Sequence, residues 1–457
     1  MAEKPLTPSL SPSDGERVAD RSGEGIAFPT SFLRTVLNSR PMRFRKLVFW
    51  LHLIAGIVAG AVILIMSATG VVLAFEKEII AWAERDVRRV TAPAGVQPLG
   101  LDELLKRLRE EHSGGPPSAI TLNSSANVAV LVSLGRTNTF YIDPYTGVVS
   151  NQGATGVRKF MQTMIQWHRY LGGDSERRAL GKAVTGACNA VFLFLAASGL
   201  YLWWPRQWTK AALRAVGWMD FKLRSRARDW NWHNAVGLWC APVLIVLTAT
   251  ALPISYQWAG SLIYKLTGST PPPPRGGPGG GTPAVEIPAP PPDAKPLGME
   301  ALFTATQKEF PQWKQISYRG GGSGGRGGRG ESSRSSGGMT TNSPPSDPGG
   351  GENRERRERS GPQAVTLAVV EQGQWPLFAT TQVTLDPFTG VVLHKEGFSD
   401  YNLGRQVRSW TRFLHTGEAL GIAGKAVACA ASAGGVLLVW TGIALAWRRF
   451  FIRKGKA

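Results

Sequence analysis

From Trp50 to Phe75 the chain reads WLHLIAGIVAGAVILIMSATGVVLAF, with no acidic or basic side chain after His52. At 1.5 Å of rise per residue, about 23 uncharged residues make a helix roughly 34 Å long, enough to cross a hydrocarbon core of about 30 Å. His52 then sits just inside one end of a membrane-spanning helix, where an ionisable group is costly and marks function. A second uncharged run opens at Trp232-His233 and repeats the arrangement.

Four runs are long enough to span: roughly Leu47–Phe75, Ala183–Trp204, Asn234–Tyr264 and Ala426–Trp447. The first begins too late, and runs too long, for an ordinary cleaved signal peptide, so it reads as retained. The third exceeds the needed length and holds Pro242 and Pro253, which predicts a kink or an early exit. The three cysteines, Cys188, Cys240 and Cys429, lie in apolar runs without CxxC spacing and read as small buried residues.

Net charge is +20, and its placement decides its meaning. Arg40, Arg43, Arg45 and Lys46 precede the first span; seven Lys and Arg residues from Arg206 to Arg228 join the second to the third; Arg448, Arg449, Arg453, Lys454 and Lys456 follow the fourth. Basic flanks of this kind face the cytoplasm, so both termini are expected inside, the charge meets the lipid bilayer, and no nucleic-acid partner is implied.

The division that follows is a polar segment 1–42, expected to be disordered; spans at 43–76, 181–205, 232–264 and 424–448; outside domains at 77–180 and 265–423; a basic cytoplasmic loop 206–231; and a basic tail 449–457. Inside the second outside domain lie a Pro-rich spacer, Pro271–Pro292, and a Gly/Ser/Arg-rich insert, 319–361, with almost no apolar residue to offset the entropy of ordering.

The chain also repeats itself. GKAV at Gly181–Val184 returns at Gly424–Val427; Ser198-Gly199 aligns with Thr441-Gly442; DPYTGVV at Asp143–Val149 aligns with DPFTGVV at Asp386–Val392; PLG stands at Pro98 and at Pro296. His52 aligns with His233, Thr69 with Thr250, and His168 with His415. Both halves enter and leave in the same direction, so the repeat is parallel and its pseudo-twofold axis runs along the membrane normal. The axis sets His52 across from His233 near the cytoplasmic face and His168 across from His415 near the outer face. Each outside domain reads as α+β: a helix around Leu101–Glu111 or Met299–Phe310, then short alternating strands.

Imidazole is a common metal ligand and the usual axial ligand of haem iron. Two facing pairs at opposite ends of a four-helix bundle invite two bis-histidine haems, with His52, His233, His168 and His415 as ligands. Four-ligand zinc suits the layout less well, because the pairs sit at opposite faces. Lys182, Lys425 and Arg169, at the outer ends, are candidates to meet haem propionates; snorkelling to head groups is the plainer role for the lysines. No general acid, base or nucleophile stands out.

With the DPYTGVV and DPFTGVV strands and the histidine-bearing spans together, the chain from about 43 to 450 resembles the PepSY-associated transmembrane family of iron-regulated bacterial inner-membrane proteins, which includes ferric-siderophore reductases. The resemblance implies two periplasmic PepSY-like domains on a haem-bearing membrane domain in the bacterial cytoplasmic membrane. It implies electron transfer from a quinol or a cytoplasmic reductant to a periplasmic ferric chelate or siderophore, and hence haem-dependent ferric reduction. The Gly/Ser/Arg-rich insert departs from the family pattern. PepSY modules also occur in protease propeptides, so a membrane-anchored module that binds or inhibits a periplasmic protease is one alternative, and a transporter component is another.

Overall fold

The computed structural model describes residues 44–112, 115–134, 138–150, 153–204, 209–272, 294–320 and 364–451. The polar N-terminal segment, nearly all of the Pro-rich spacer and of the insert, and most of the basic tail lie outside the described residues; Arg319, at the insert's margin, is the last residue of a strand. From Val48 onward the chain is one compact unit, and the unit before it contributes only the first residues of the first helix to the described structure.

In chain order the helices and strands of the first half are α1 (Phe44–Leu73), α2 (Glu76–Ala83), α3 (Arg85–Arg88), α4 (Leu101–Glu111), β1 (Ala119–Asn123), β2 (Val130–Leu134), β3 (Asn138–Ile142), β4 (Val149–Ser150), α5 (Thr155–Tyr170) and α6 (Arg178–Trp203). The second half follows with α7 (Lys210–Gly217), α8 (Ser225–Ser255), α9 (Gln257–Leu266), α10 (Met299–Glu309), β5 (Trp313–Arg319), β6 (Val365–Glu371), β7 (Thr381–Leu385), β8 (Val392–Glu396), α11 (Leu403–His415) and α12 (Gly421–Phe450).

Among the described residues α1, α6, α8 and α12 are long and apolar enough to cross a membrane. Small residues let them approach closely, as expected where lipid offers no hydrophobic drive to association. A Cβ on Gly434 of α12 would fall 2.3 Å from Cys240 Sγ of α8, and one on Gly435 would fall 2.8 Å from Ser67 Oγ of α1. Asn189 of α6 donates its side-chain amide to the Thr248 carbonyl of α8 at 2.9 Å, which satisfies a buried polar group. The third apolar run makes the early exit: α8 holds both prolines and stops at Ser255, Tyr256 is extended at φ −120°, ψ 130°, and α9 starts afresh.

Beyond the spans stands one antiparallel sheet of eight strands, in the order β4-β3-β2-β1-β5-β6-β7-β8. Two separate α+β domains are the sequence-based expectation; the strands instead form one sheet, half from each side. The join is β1 against β5, where Ile120 faces Tyr318 and Leu122 faces Ile316. Left apart, β1 and β5 would each be an open edge of unpaired backbone, and pairing removes both.

The stripe Leu101, Leu104, Leu105 and Leu108 of α4, with Leu302 and Phe303 of α10, packs against the inward residues Ile120, Val132, Ile142, Ile316, Leu367, Val369, Val383 and Leu385. Each such side chain contributes about 1.5–3 kcal/mol by leaving water, so this shared core is the main support of the sheet. The repeated motifs build the same turn twice. The Asp143 carboxylate accepts the Tyr145 N–H at 2.8 Å and Asp386 accepts the Phe388 N–H at 2.8 Å, while Gly147 (φ 73°) and Gly390 (φ 71°) take the left-handed conformation that follows. Each turn then holds its PLG segment: Leu99 N–H donates to the Pro144 carbonyl and Leu297 N–H to the Pro387 carbonyl, both at 2.7 Å.

Glu84, just past α2, is a buried carboxylate on which three elements converge. Tyr141 of β3 donates to it at 2.6 Å, Arg158 of α5 at 2.8 Å and Arg88 of α3 at 3.0 Å. Burial pushes its pKa up, but the bonds from Arg158, Tyr141 and Arg88 outweigh burial and hold the carboxyl below its ordinary range.

Candidate functional site

His52 lies in α1 and His233 in α8, near the starts of those spans, as the sequence predicts. His168 and His415 belong to separate helices that precede the second and fourth spans, each in its helix's last turn. The chain leaves α5 through Leu171 (φ 51°) and Gly172 (φ 74°), whose N–H groups bond back to the Trp167 and Gln166 carbonyls, a left-handed helix end. After α11, Gly417 is likewise left-handed at φ 74°.

The first residue of the repeated GKAV motif explains how these helix ends are seated. A Cβ on Gly181 would fall 2.1 Å from the Tyr170 carbonyl oxygen, and one on Gly424 would fall 2.3 Å from the Gly417 carbonyl oxygen. Glycine there lets the backbone just past each histidine lie directly on the spanning helix, with no room for any side chain.

All four histidines spend the same nitrogen. His52 Nδ1 meets Ser198 Oγ at 2.8 Å, His233 Nδ1 meets Thr441 Oγ1 at 2.9 Å, His168 Nδ1 meets Thr69 Oγ1 at 2.9 Å, and His415 Nδ1 meets the Leu247 carbonyl at 2.9 Å. A hydroxyl owns one proton. Thr69 gives its proton to the Ile65 carbonyl at 2.7 Å, Thr441 to Leu437 at 2.7 Å and Ser198 to Leu195 at 3.3 Å. Each hydroxyl with its proton so engaged can accept from imidazole, as the Leu247 carbonyl must from His415. The carbonyl fixes the proton of His415 on Nδ1, and in all four rings Nδ1 is the nitrogen that is hydrogen-bonded. Among the described residues no hydrogen bond reaches Nε2 of any of the four. A ring oriented through Nδ1–H with a free Nε2 is the arrangement of a metal-ligating histidine and its supporting partner.

The structure brings His168 and His415 face to face, with ring centres 6.4 Å apart and planes inclined by 50°. An imidazole nitrogen binds a metal at about 2.0–2.1 Å, so two rings on opposite sides of one ion have centres about 6 Å apart once the ring radii are added. His233 has His52 as its electrostatic neighbour. Small residues line both levels: a Cβ on Gly199 would be 3.5 Å from His52 Cε1, on Gly442 3.4 Å from His233 Cε1, and on Gly70 3.6 Å from His168 Cε1. The two levels are separate, because Thr69 stands 17 residues after His52 along α1, or about 25 Å. Among the described residues no three His, Cys, Asp or Glu side chains gather in a way that could hold a metal. Each level thus offers two imidazoles, and the remaining positions of any metal would fall to another group.

The basic candidates part company. Lys425 is buried and paired with both Glu78 carboxylate oxygens, at 2.7 and 2.9 Å. Lys182, its counterpart in the repeat, is exposed, and so is Arg169, whose guanidinium lies 5.4 Å from the Tyr170 ring centre. The three cysteines are free thiols. Sequence reasoning aligned Ser198 with Thr441 without giving either a role; the signal was a hydroxyl followed by glycine, one repeat apart. The Leu247 carbonyl left no trace, since any residue supplies a backbone oxygen.

Four apolar helices long enough to span, two of which carry His52 and His233, define a multi-pass membrane protein that contacts the lipid bilayer. A model of the PepSY-associated TM region matches residues 49–449, and the chain belongs to that family. No curated protein matches the sequence.

Proposed function

We propose that the protein carries two haems in the cytoplasmic membrane of a bacterium and moves electrons outward through them to a ferric chelate, as a haem-dependent ferric reductase. The observation that carries this reading is the common geometry of the four histidines: Nδ1 hydrogen-bonded, Nε2 without a partner among the described residues, and one pair facing across 6.4 Å. Two imidazoles with no third protein ligand among the described residues suit a metal whose other positions are filled by a macrocycle, and the glycines beside the rings suit a flat one. His52, His233, His168 and His415 would hold the haems, and haem bound there would supply one-electron transfer.

What the chain's own residues do is hold and insulate. Ser198, Thr441, Thr69 and Leu247 fix each ring's orientation and tautomer. Packing of the four apolar helices keeps water out. The basic flanks put both termini in the cytoplasm, the His52/His233 level beside the donor, and the sheet with its two PepSY-like halves in the periplasm. The substrate gains one electron, and ferric iron held by hard anionic oxygens becomes ferrous iron that those ligands hold less tightly.

The test is an absorption spectrum of the purified full chain, oxidised and reduced, with haem and iron quantified. Two haems per chain are expected. His52→Ala and His233→Ala should each remove one, and His168→Ala and His415→Ala should each remove the other. A colourless preparation with no haem after expression under haem-replete conditions overturns the reading.

A further inference from the structure

The connection from β6 to β7 runs over residues 372–380, whereas its counterpart from β2 to β3 covers only 135–137. The longer connection leaves the sheet and reaches the helices. Phe378 stacks on Phe413 of α11, with ring centres 4.2 Å apart and planes at 11°, and meets Trp410 edge-on at 5.0 Å. Pro376 and Ala379 are buried. The side chains on either side of Pro376 are not: Trp375 is 65% exposed and Leu377 56% exposed.

Their position says what covers them. Leu377 lies against the first residue of α12, since a Cβ on Gly421 would be 3.3 Å from Leu377 Cδ1. On either side of that glycine, Leu420 is 58% exposed and Ile422 61% exposed. Ile422 begins the apolar surface that α12 presents outward along its length, with Val427, Leu437 and Trp440 also exposed. Trp375 and Leu377 therefore continue the bilayer-facing surface of a spanning helix at its outer end. A tryptophan beside aliphatic side chains at that level has the composition of a membrane–water interface, and a soluble surface seldom exposes such a group.

We propose that the β6–β7 connection is a membrane anchor: Trp375 and Leu377 enter the interfacial region of the lipid leaflet beside Leu420 and Ile422. The loop then fastens the second half of the sheet to the bilayer. Through Phe378 on Phe413 it also braces α11, two residues before His415. This inference needs only the membrane reading and is independent of haem.

The native full chain in nanodiscs of phosphatidylethanolamine and phosphatidylglycerol, doped with a phospholipid carrying a diazirine high on its acyl chain, tests it. After irradiation, adducts are located by chymotryptic peptide mapping. Adducts are expected on 375–377 at a level comparable with 420–422 and several-fold above the exposed face of α4 around Lys106. Labelling of 420–422 with none above the α4 background at 375–377 overturns the proposal. So does the absence of lipid adducts at 375–377 at one chain per disc when protein–protein cross-links form there at higher occupancy, which assigns the patch to a second copy.

Discussion

Replacing Glu84 by glutamine removes the charge on which Arg158, Arg88 and Tyr141 converge. Removing one member of a buried ionic cluster costs about 3–5 kcal/mol, because the remaining charges lose their compensation. Here Arg158 and Arg88 are 34% and 36% exposed, so water shields part of that loss and about 2–3 kcal/mol is the better figure. For a folded unit of this size that lowers the apparent melting temperature by roughly 2–5 °C. The sign with pH follows from the depressed carboxyl. Its stabilisation is present above the unfolded value of 4.5 and is lost as pH falls through the lower folded value. Thermal scans of both proteins in detergent should therefore show the deficit of Glu84→Gln in full at neutral pH and shrinking below about pH 4.5. A deficit that persists unchanged in acid, or none at neutral pH, refutes the reasoning.

Three further outcomes are expected. Thr441→Val removes the acceptor for His233 and should weaken cofactor retention at the inner level by about 10–100-fold while the outer level is spared; Thr69→Val should do the reverse, and equal loss at both levels contradicts the assignment. Gly181→Ala drives a Cβ to 2.1 Å from the Tyr170 carbonyl oxygen, so the helix bearing His168 must lift, and the spectrum of the outer level should change before that of the inner one. Alkaline phosphatase fused at Gly153 or Gly373 should be active and at Arg214 inactive; activity at Arg214 would invert the membrane topology.

The spans were legible because a run of uncharged residues has few other uses, and the pairing of His168 with His415 because the repeat placed both before a GKAV. The helix stripe Leu101, Leu104, Leu105 and Leu108 was equally plain, as 3.6-residue periodicity is local information. The merging of the strands into one sheet was not, since nothing in β1 or β5 names a partner and the choice is made by two edges meeting in space. Nor was the Glu84 cluster: its members are separated by up to 74 residues, and an isolated glutamate reads as a solvated charge. The partner of Lys425 was no more legible, because Glu78 lies 347 residues earlier in the chain.

The seam between β1 and β5 has a mechanical meaning. Transporters built from two similar halves work by rocking one half against the other. Here such a stroke would have to tear five consecutive residue pairs, from Ala119–Arg319 to Asn123–Gln315, and leave two bare strand edges. The sheet acts as a tie-beam across the top of the bundle. Below it, α5 and α11 hold His168 and His415 at a set spacing, α5 tied to the beam by the Glu84 cluster and α11 by Phe378. A frame braced in this way suits a site that must keep one geometry through repeated cycles, and it opposes the alternating opening that carriage of a solute requires.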